Sequence, residues 1–141
     1  MANPPPPPYV SQLNLQAHPG ASPWARQHTR DVLAAWSIEG DPMDAVELAV
    51  SELVTNAIKH IQDAPELSTS PESVRLSLRH MRTHVLIEVA DGRLNPPVVA
   101  TDVPWDAEGG RGLSIIASIC KEWGCYWPLT GGKVVWCEIS L

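Results

Sequence analysis

Glu52 and Asn56 stand one helical turn apart in SELVTNAIKH (51–60), within a segment that is otherwise mostly apolar at helical spacing. At about 100° per residue they lie about 40° apart on the helix circumference. Val46, Ala49, Val50, Leu53, Ala57 and Ile61 cluster on another sector, so a carboxylate and a carboxamide border a core-packing stripe. Most such pairs are a solvated helix edge. The alternative is chemistry. A glutamate can take the proton of an attacking hydroxyl, and an asparagine oxygen suits Mg²⁺, which takes a few protein oxygens together with water and phosphate.

Two other segments bear on that choice. Asp91-Gly92 closes the apolar run VLIEVAD, where a carboxylate could accept a hydrogen bond from an exocyclic amine and so select adenine over guanine. Gly109-Gly110-Arg111-Gly112-Leu113 turns a polar stretch into an apolar one. A glycine-rich turn opening a helix offers unpaired backbone N–H groups and the positive end of the helix dipole to phosphate oxygens. Taken singly, Asp-Gly is an ordinary turn and GGRGL an ordinary helix start. Together with Glu52 and Asn56 they describe a nucleotide pocket.

The elements that must hold these residues follow from pattern. YVSQLNLQA (9–17) alternates as an edge strand. Ser22 as N-cap and Pro23 at the first helical position predict a helix to about Trp36, with Trp24, Ala25, Val32, Leu33 and Trp36 buried. Asp41-Pro42 opens a second helix that continues to about Ile61. Residues 62–72 are loop by composition, and SVRLSLRH and HVLIEVAD are strands joined by a turn near Met81-Arg82-Thr83. The proline- and glycine-containing stretch after Asp91 is a long functional loop. RGLSIIASICKEWG is a third helix, and CYWPL and KVVWCEISL a closing hairpin through Thr130-Gly131-Gly132. Trp123, Trp127 and Trp136 belong to core or rim. The layout is α+β, with helices on one face of a mixed, mostly antiparallel sheet.

Composition narrows the function. The chain of 141 residues fits one domain, and 44% hydrophobic with 18% charged residues is ordinary for a globular protein. A net charge of −6 with scattered Lys and Arg argues against wrapping nucleic acid. Phosphate would have to be met by backbone N–H groups or a metal ion. Cys120, Cys125 and Cys137 form no CxxC pair and sit in apolar contexts, which favours buried reduced thiols and a cytoplasmic setting; a zinc site with His80 and His84 matches no structural zinc spacing. No apolar stretch is long enough to span a bilayer, and residues 1–20, with neither a basic segment nor an apolar core, are not expected to act as a signal peptide. Pro4–Pro8 gives a disordered tail over 1–8, leaving 9–141 as a single domain.

ELVTNAIKH resembles the N-box of the GHKL (Bergerat) ATPase superfamily, Asp91-Gly92 its first glycine box and GGRGL its second, while GGKVVWCEI is similar to its last strand. The chain looks most like the small anti-sigma-factor serine/threonine kinases of actinobacteria, and ARQHTRDVLAAW resembles their first helix. The resemblance spans roughly 9–141. It implies a two-layer α/β sandwich that binds ATP and Mg²⁺. Glu52 would be the general base and Asn56 would hold Mg²⁺. Asp91 would contact the adenine amine, with Gly92 giving room beside it. Residues 93–108 would form the ATP lid, and Gly110, Gly112 and Leu113 would help bind phosphates, with Arg111 facing phosphate, solvent or a partner. His60 is first a packing or hydrogen-bonding residue. The implied partners are a STAS-type anti-anti-sigma protein, a sigma factor and, through the sheet or first helix, a second copy. The alternative is a nucleotide-responsive binding module with little phosphotransfer. The resemblance departs at DGRLNPP, where glycine follows Asp91 directly. No segment resembles the phospho-accepting helix of a complete histidine kinase.

Overall fold

A computed structural model describes residues 9–63, 72–93 and 111–141, with the side chains of 63 and 111–114 excepted. The expected tail (1–8), most of the 62–72 loop and all but the first residue of the expected lid lie outside the described residues. The chain runs β1 (Tyr9–Gln16), α1 (Ala21–Ala35), α2 (Asp41–Asp63), β2 (Ser73–Met81), β3 (His84–Asp91), α3 (Arg111–Ile119), β4 (Glu122–Tyr126), β5 (Lys133–Ser140). The strands form one five-stranded sheet in the order β1-β2-β3-β5-β4, every neighbouring pair antiparallel. The fold is α+β with two layers.

Alternation sets the faces. Val85, Ile87, Val89 and Asp91 of β3 are buried, as are Val135, Cys137 and Ile139 of β5 and Val74, Leu76 and Leu78 of β2. These residues meet α2, whose Val46, Ala49, Val50, Leu53, Ala57 and Ile61 are buried in line with the periodicity, joined by Val54 and Ile58. Asp41 and Asp44 in the first turn of α2 complement its dipole. Truncating a core residue such as Leu53 to alanine would cost about 2–5 kcal/mol.

Three local expectations need correction. α1 starts at Ala21 with Gly20 in the cap position, because the Ser22 hydroxyl is 2.8 Å from Thr55 Oγ1 on α2 instead of capping its own helix. Trp24 is 74% exposed: the buried stripe of α1 runs through Ala21, Ser22, Ala25, Thr29 and Leu33, and Trp24 falls about 130° from the middle of that stripe. α3 ends at Ile119, and β4 covers Glu122–Tyr126 where helix was expected to 124 and strand from Cys125. Pairing with β5 decides this. Trp123 lies opposite Cys137, the Lys121 N–H donates to the Glu138 carbonyl at 2.8 Å, and Trp123 and Cys125 both pack against the core. Trp127 is 50% exposed and belongs to the rim, while Trp136 is half-buried on the sheet face away from α2.

Candidate functional site

The helix layer places the polar edge of α2. Ser22 and Arg26 of α1 reach Thr55 and Ser51 of α2, so that flank of α2 belongs to α1. Asn56 lies about 100° to 140° around the helix from those two residues, away from that flank; α3 also packs on α2. Glu52 lies about 40° from Asn56 around the helix, and both side chains are half-buried. No other described residue hydrogen-bonds or ion-pairs with either side chain. An uncommitted carboxylate and carboxamide on one edge can serve as a proton acceptor and a hard oxygen ligand. That donor set fits Mg²⁺ shared with phosphate. It could not hold the ion alone, and no group of three His, Cys, Asp or Glu side chains suited to a metal occurs among the described residues. His60, a further turn along, is half-buried and has a polar or packing partner of its own.

α2 crosses β3 and β5, and the ends of those two strands carry a contrasting cluster. Asp91 and Lys133 are directly opposite in the β3–β5 register, and their side chains, each 1% exposed, form an ion pair with Nζ 3.0 Å from Oδ1. The same Oδ1 accepts the Arg93 backbone N–H at 2.8 Å. Asp91 Oδ2 is buried without any hydrogen-bond partner. Burial pushes the Cys125 thiol up; the neighbouring Lys133 lowers it and Asp91 raises it again, which locates β4 beside the pair.

Arg93 was not singled out by pattern. Its side chain is 5% exposed, donates to both Glu72 oxygens (3.1 and 2.8 Å) and reaches the Ile61 carbonyl at 3.3 Å near the end of α2. It therefore ties the segment after Asp91 to the helix that carries Glu52 and Asn56. Lys133 and Gly132 were also missed. Gly132 has φ +70°, and a Cβ there would lie 2.1 Å from the Asp91 carbonyl oxygen. The sequence signal was Gly131-Gly132 beside Lys133, legible as a hairpin turn but not as a backbone pressed against the site. A Cβ on Gly92 would meet nothing within 4 Å, so the protein's own packing does not require that glycine.

The remaining predicted residues divide. Gly110 lies outside the described residues, whereas the backbone of Arg111, Gly112 and Leu113 forms the first turn of α3, as a glycine-rich helix start requires. A cavity of about 440 Å³ touches Asp91, Gly92 and Lys133, but most of its wall (Asn14, Ser73, Arg75, Ala90, Tyr126, Val134) is the sheet face away from α2. It is thus separate from the Glu52–Asn56 edge.

The thiols are free, and only Cys137 is fully buried; Cys120 and Cys125 are half-buried, short of the burial expected. Cys120 and Cys137 share a hydrogen bond that lowers the Cys120 thiol and, with burial, raises that of Cys137 far above its ordinary range. Among the described residues no helix is long and apolar enough to cross a membrane.

Comparison with curated proteins finds no match to the chain. The family described as the histidine kinase-like ATPase domain matches residues 15–137, a span that takes in α2, Asp91, α3 and most of β5. The antiparallel sheet and the helix layer are consistent with such an ATP-binding domain. The chain belongs to the histidine kinase-like ATPase domain family, of GHKL type.

Proposed function

We propose that the protein is an ATP-dependent serine/threonine kinase and anti-sigma factor, acting in a cytoplasmic partner switch on a STAS-type anti-anti-sigma protein. The observation that carries this reading is Glu52. A domain that only binds nucleotide has no chemical need of an uncommitted carboxylate one turn from an uncommitted Asn56. In the proposed reaction Glu52 takes the proton of a partner serine hydroxyl. The serine oxygen forms its bond to the γ-phosphorus as the bond to the β–γ bridging oxygen breaks, and ADP leaves with the electron pair. Asn56 would hold Mg²⁺, which when bound neutralises charge on the phosphates. Asp91 would receive the adenine amine, and the first turn of α3 with Gly110, Arg111, Gly112 and Leu113 would meet the phosphates through its backbone. Unphosphorylated STAS protein and a sigma factor would compete for the kinase.

Transfer of labelled γ-phosphate to STAS proteins of the same cytosol tests this. Wild type should label a serine, and Glu52→Gln should slow transfer about 10²–10⁴-fold with ATP affinity retained. Equal rates would remove Glu52 as the base. A second reading is favoured by Arg93, which begins the expected lid and is locked to Glu72 and to the end of α2. A lid anchored at its first residue suits a nucleotide-responsive binding module. ATP binding with no transfer to any STAS partner would select it.

A further inference from the structure

Asp91 by itself does not choose between purines. A carboxylate with two free oxygens can accept one hydrogen bond from the adenine 6-amino group, but it can equally accept a matched pair from guanine N1–H and the guanine 2-amino group. Selection of adenine by this aspartate therefore needs a neighbour that limits what the carboxylate can accept.

The strand ends supply one. Asp91 Oδ1 is already occupied by two donors, Lys133 Nζ at 3.0 Å and the Arg93 N–H at 2.8 Å. Only Oδ2 is left, buried and without a partner. Lys133, with a side chain 1% exposed, has Asp91 as its one acceptor among the described residues, although an ammonium carries three N–H donors. Buried N–H groups left unmet are costly, so a ligand acceptor beside Nζ is favoured. The pair cannot easily swing away. It is fixed by strand register, by Gly132 pressed on the Asp91 carbonyl, and by Arg93 bracing the next turn. Alternation places both side chains on the face that carries Val89 and Val135 into the core, beneath α2.

We infer that Lys133 is the specificity-determining residue for the base. With the Arg93 N–H it fills Oδ1, and it sets an N–H donor beside the unpartnered Oδ2. The resulting acceptor–donor edge matches the 6-amino group and N1 of adenine. Against guanine it is inverted, with Oδ2 facing the O6 carbonyl and the ammonium facing the N1–H. This rests on the nucleotide-binding reading above and adds a direct contact from Lys133 to N1.

The test is calorimetric titration of the full chain with ATP, 1-deaza-ATP (which keeps the amine and loses N1), 7-deaza-ATP and GTP. Wild type should bind 1-deaza-ATP about 10- to 100-fold more weakly than ATP, as expected for losing one charge-assisted hydrogen bond, and should bind 7-deaza-ATP like ATP. Lys133→Met should bind ATP and 1-deaza-ATP alike and should narrow the preference for ATP over GTP. A lysine that only positions Asp91 would give a different result: Lys133→Met would weaken both adenine nucleotides by one factor and leave their ratio intact, which overturns the inference. Equal wild-type affinity for ATP and 1-deaza-ATP also overturns it, while leaving ATP binding standing. Failure of wild type to bind ATP at all would overturn the parent reading and this one together. Because the wild-type series decides by itself, the test survives if Lys133→Met does not fold.

Discussion

The two polar groups of this domain, one at the strand ends and one on α2, are built on opposite principles. At the strand ends, Asp91, Lys133, Arg93 and Glu72 are bonded to one another, and Gly132 presses on their backbone. On α2, Glu52 and Asn56 hold nothing described and stand half in solvent. A recognition surface gains from being fixed before the ligand arrives, because the ordering cost is met in folding. A proton acceptor and a metal ligand must instead stay available until phosphate and hydroxyl are in place. The contrast predicts that substitutions in the first group report in stability and those in the second in activity.

The largest effect should come from Lys133→Met. It leaves the Asp91 carboxylate buried without its counter-charge, a change worth about 3–5 kcal/mol of destabilisation. Urea unfolding followed by circular dichroism, with m unchanged, would measure it. Removing both charges together in Asp91→Asn/Lys133→Met should recover much of the loss, since no lone charge then stays inside. A cost for the double variant equal to or above that of Lys133→Met would mean that the pair is held by something other than mutual compensation.

Next in size is Gly132→Ala, expected to cost about 2–4 kcal/mol. The left-handed backbone contributes about 1–2 kcal/mol of this, and the rest comes from moving a Cβ that would sit 2.1 Å from the Asp91 carbonyl. Gly131→Ala is the control: its φ of +105° is also unfavourable, but no atom lies within 4 Å of the added Cβ. Gly131→Ala should therefore cost less than Gly132→Ala in the same urea titration. Equal costs would show that backbone conformation alone, not the approach to Asp91, sets the requirement at Gly132.

The same contrast explains what the residues disclosed before folding. α2 was legible because one period of 3.6 places all of Val46, Ala49, Val50, Leu53, Ala57 and Ile61 inside and sets Glu52 and Asn56 on the rim. Asp91 was legible as the end of an alternating strand. Its partners were not, because Lys133 lies far away in sequence and meets Asp91 only through the β3–β5 register, which no local pattern encodes. Arg93 was hidden for the same reason: its worth depends on Glu72 and the end of α2 arriving beside it. The errors at Trp24, Ser22 and β4 have a related origin. Apolarity and cap chemistry are local preferences, whereas Ser22 was claimed by Thr55 across the helix seam and Glu122–Tyr126 by the free edge of β5.

The smallest predicted change is also the sharpest for the comparison. Glu52→Gln preserves shape, removes one charge from a half-exposed helix position and breaks no bond to any described residue. Glutamine and glutamate have nearly equal helix propensity. Unfolding free energy should therefore stay within about 0.5 kcal/mol of wild type, as for surface substitutions away from special features. Asn56→Ala should behave likewise or gain slightly, since alanine is the better helix former. A loss of 2 kcal/mol or more for either would mean that the edge is part of the fold's own bonding. The division between a group fixed by folding and a group reserved for chemistry would then fail.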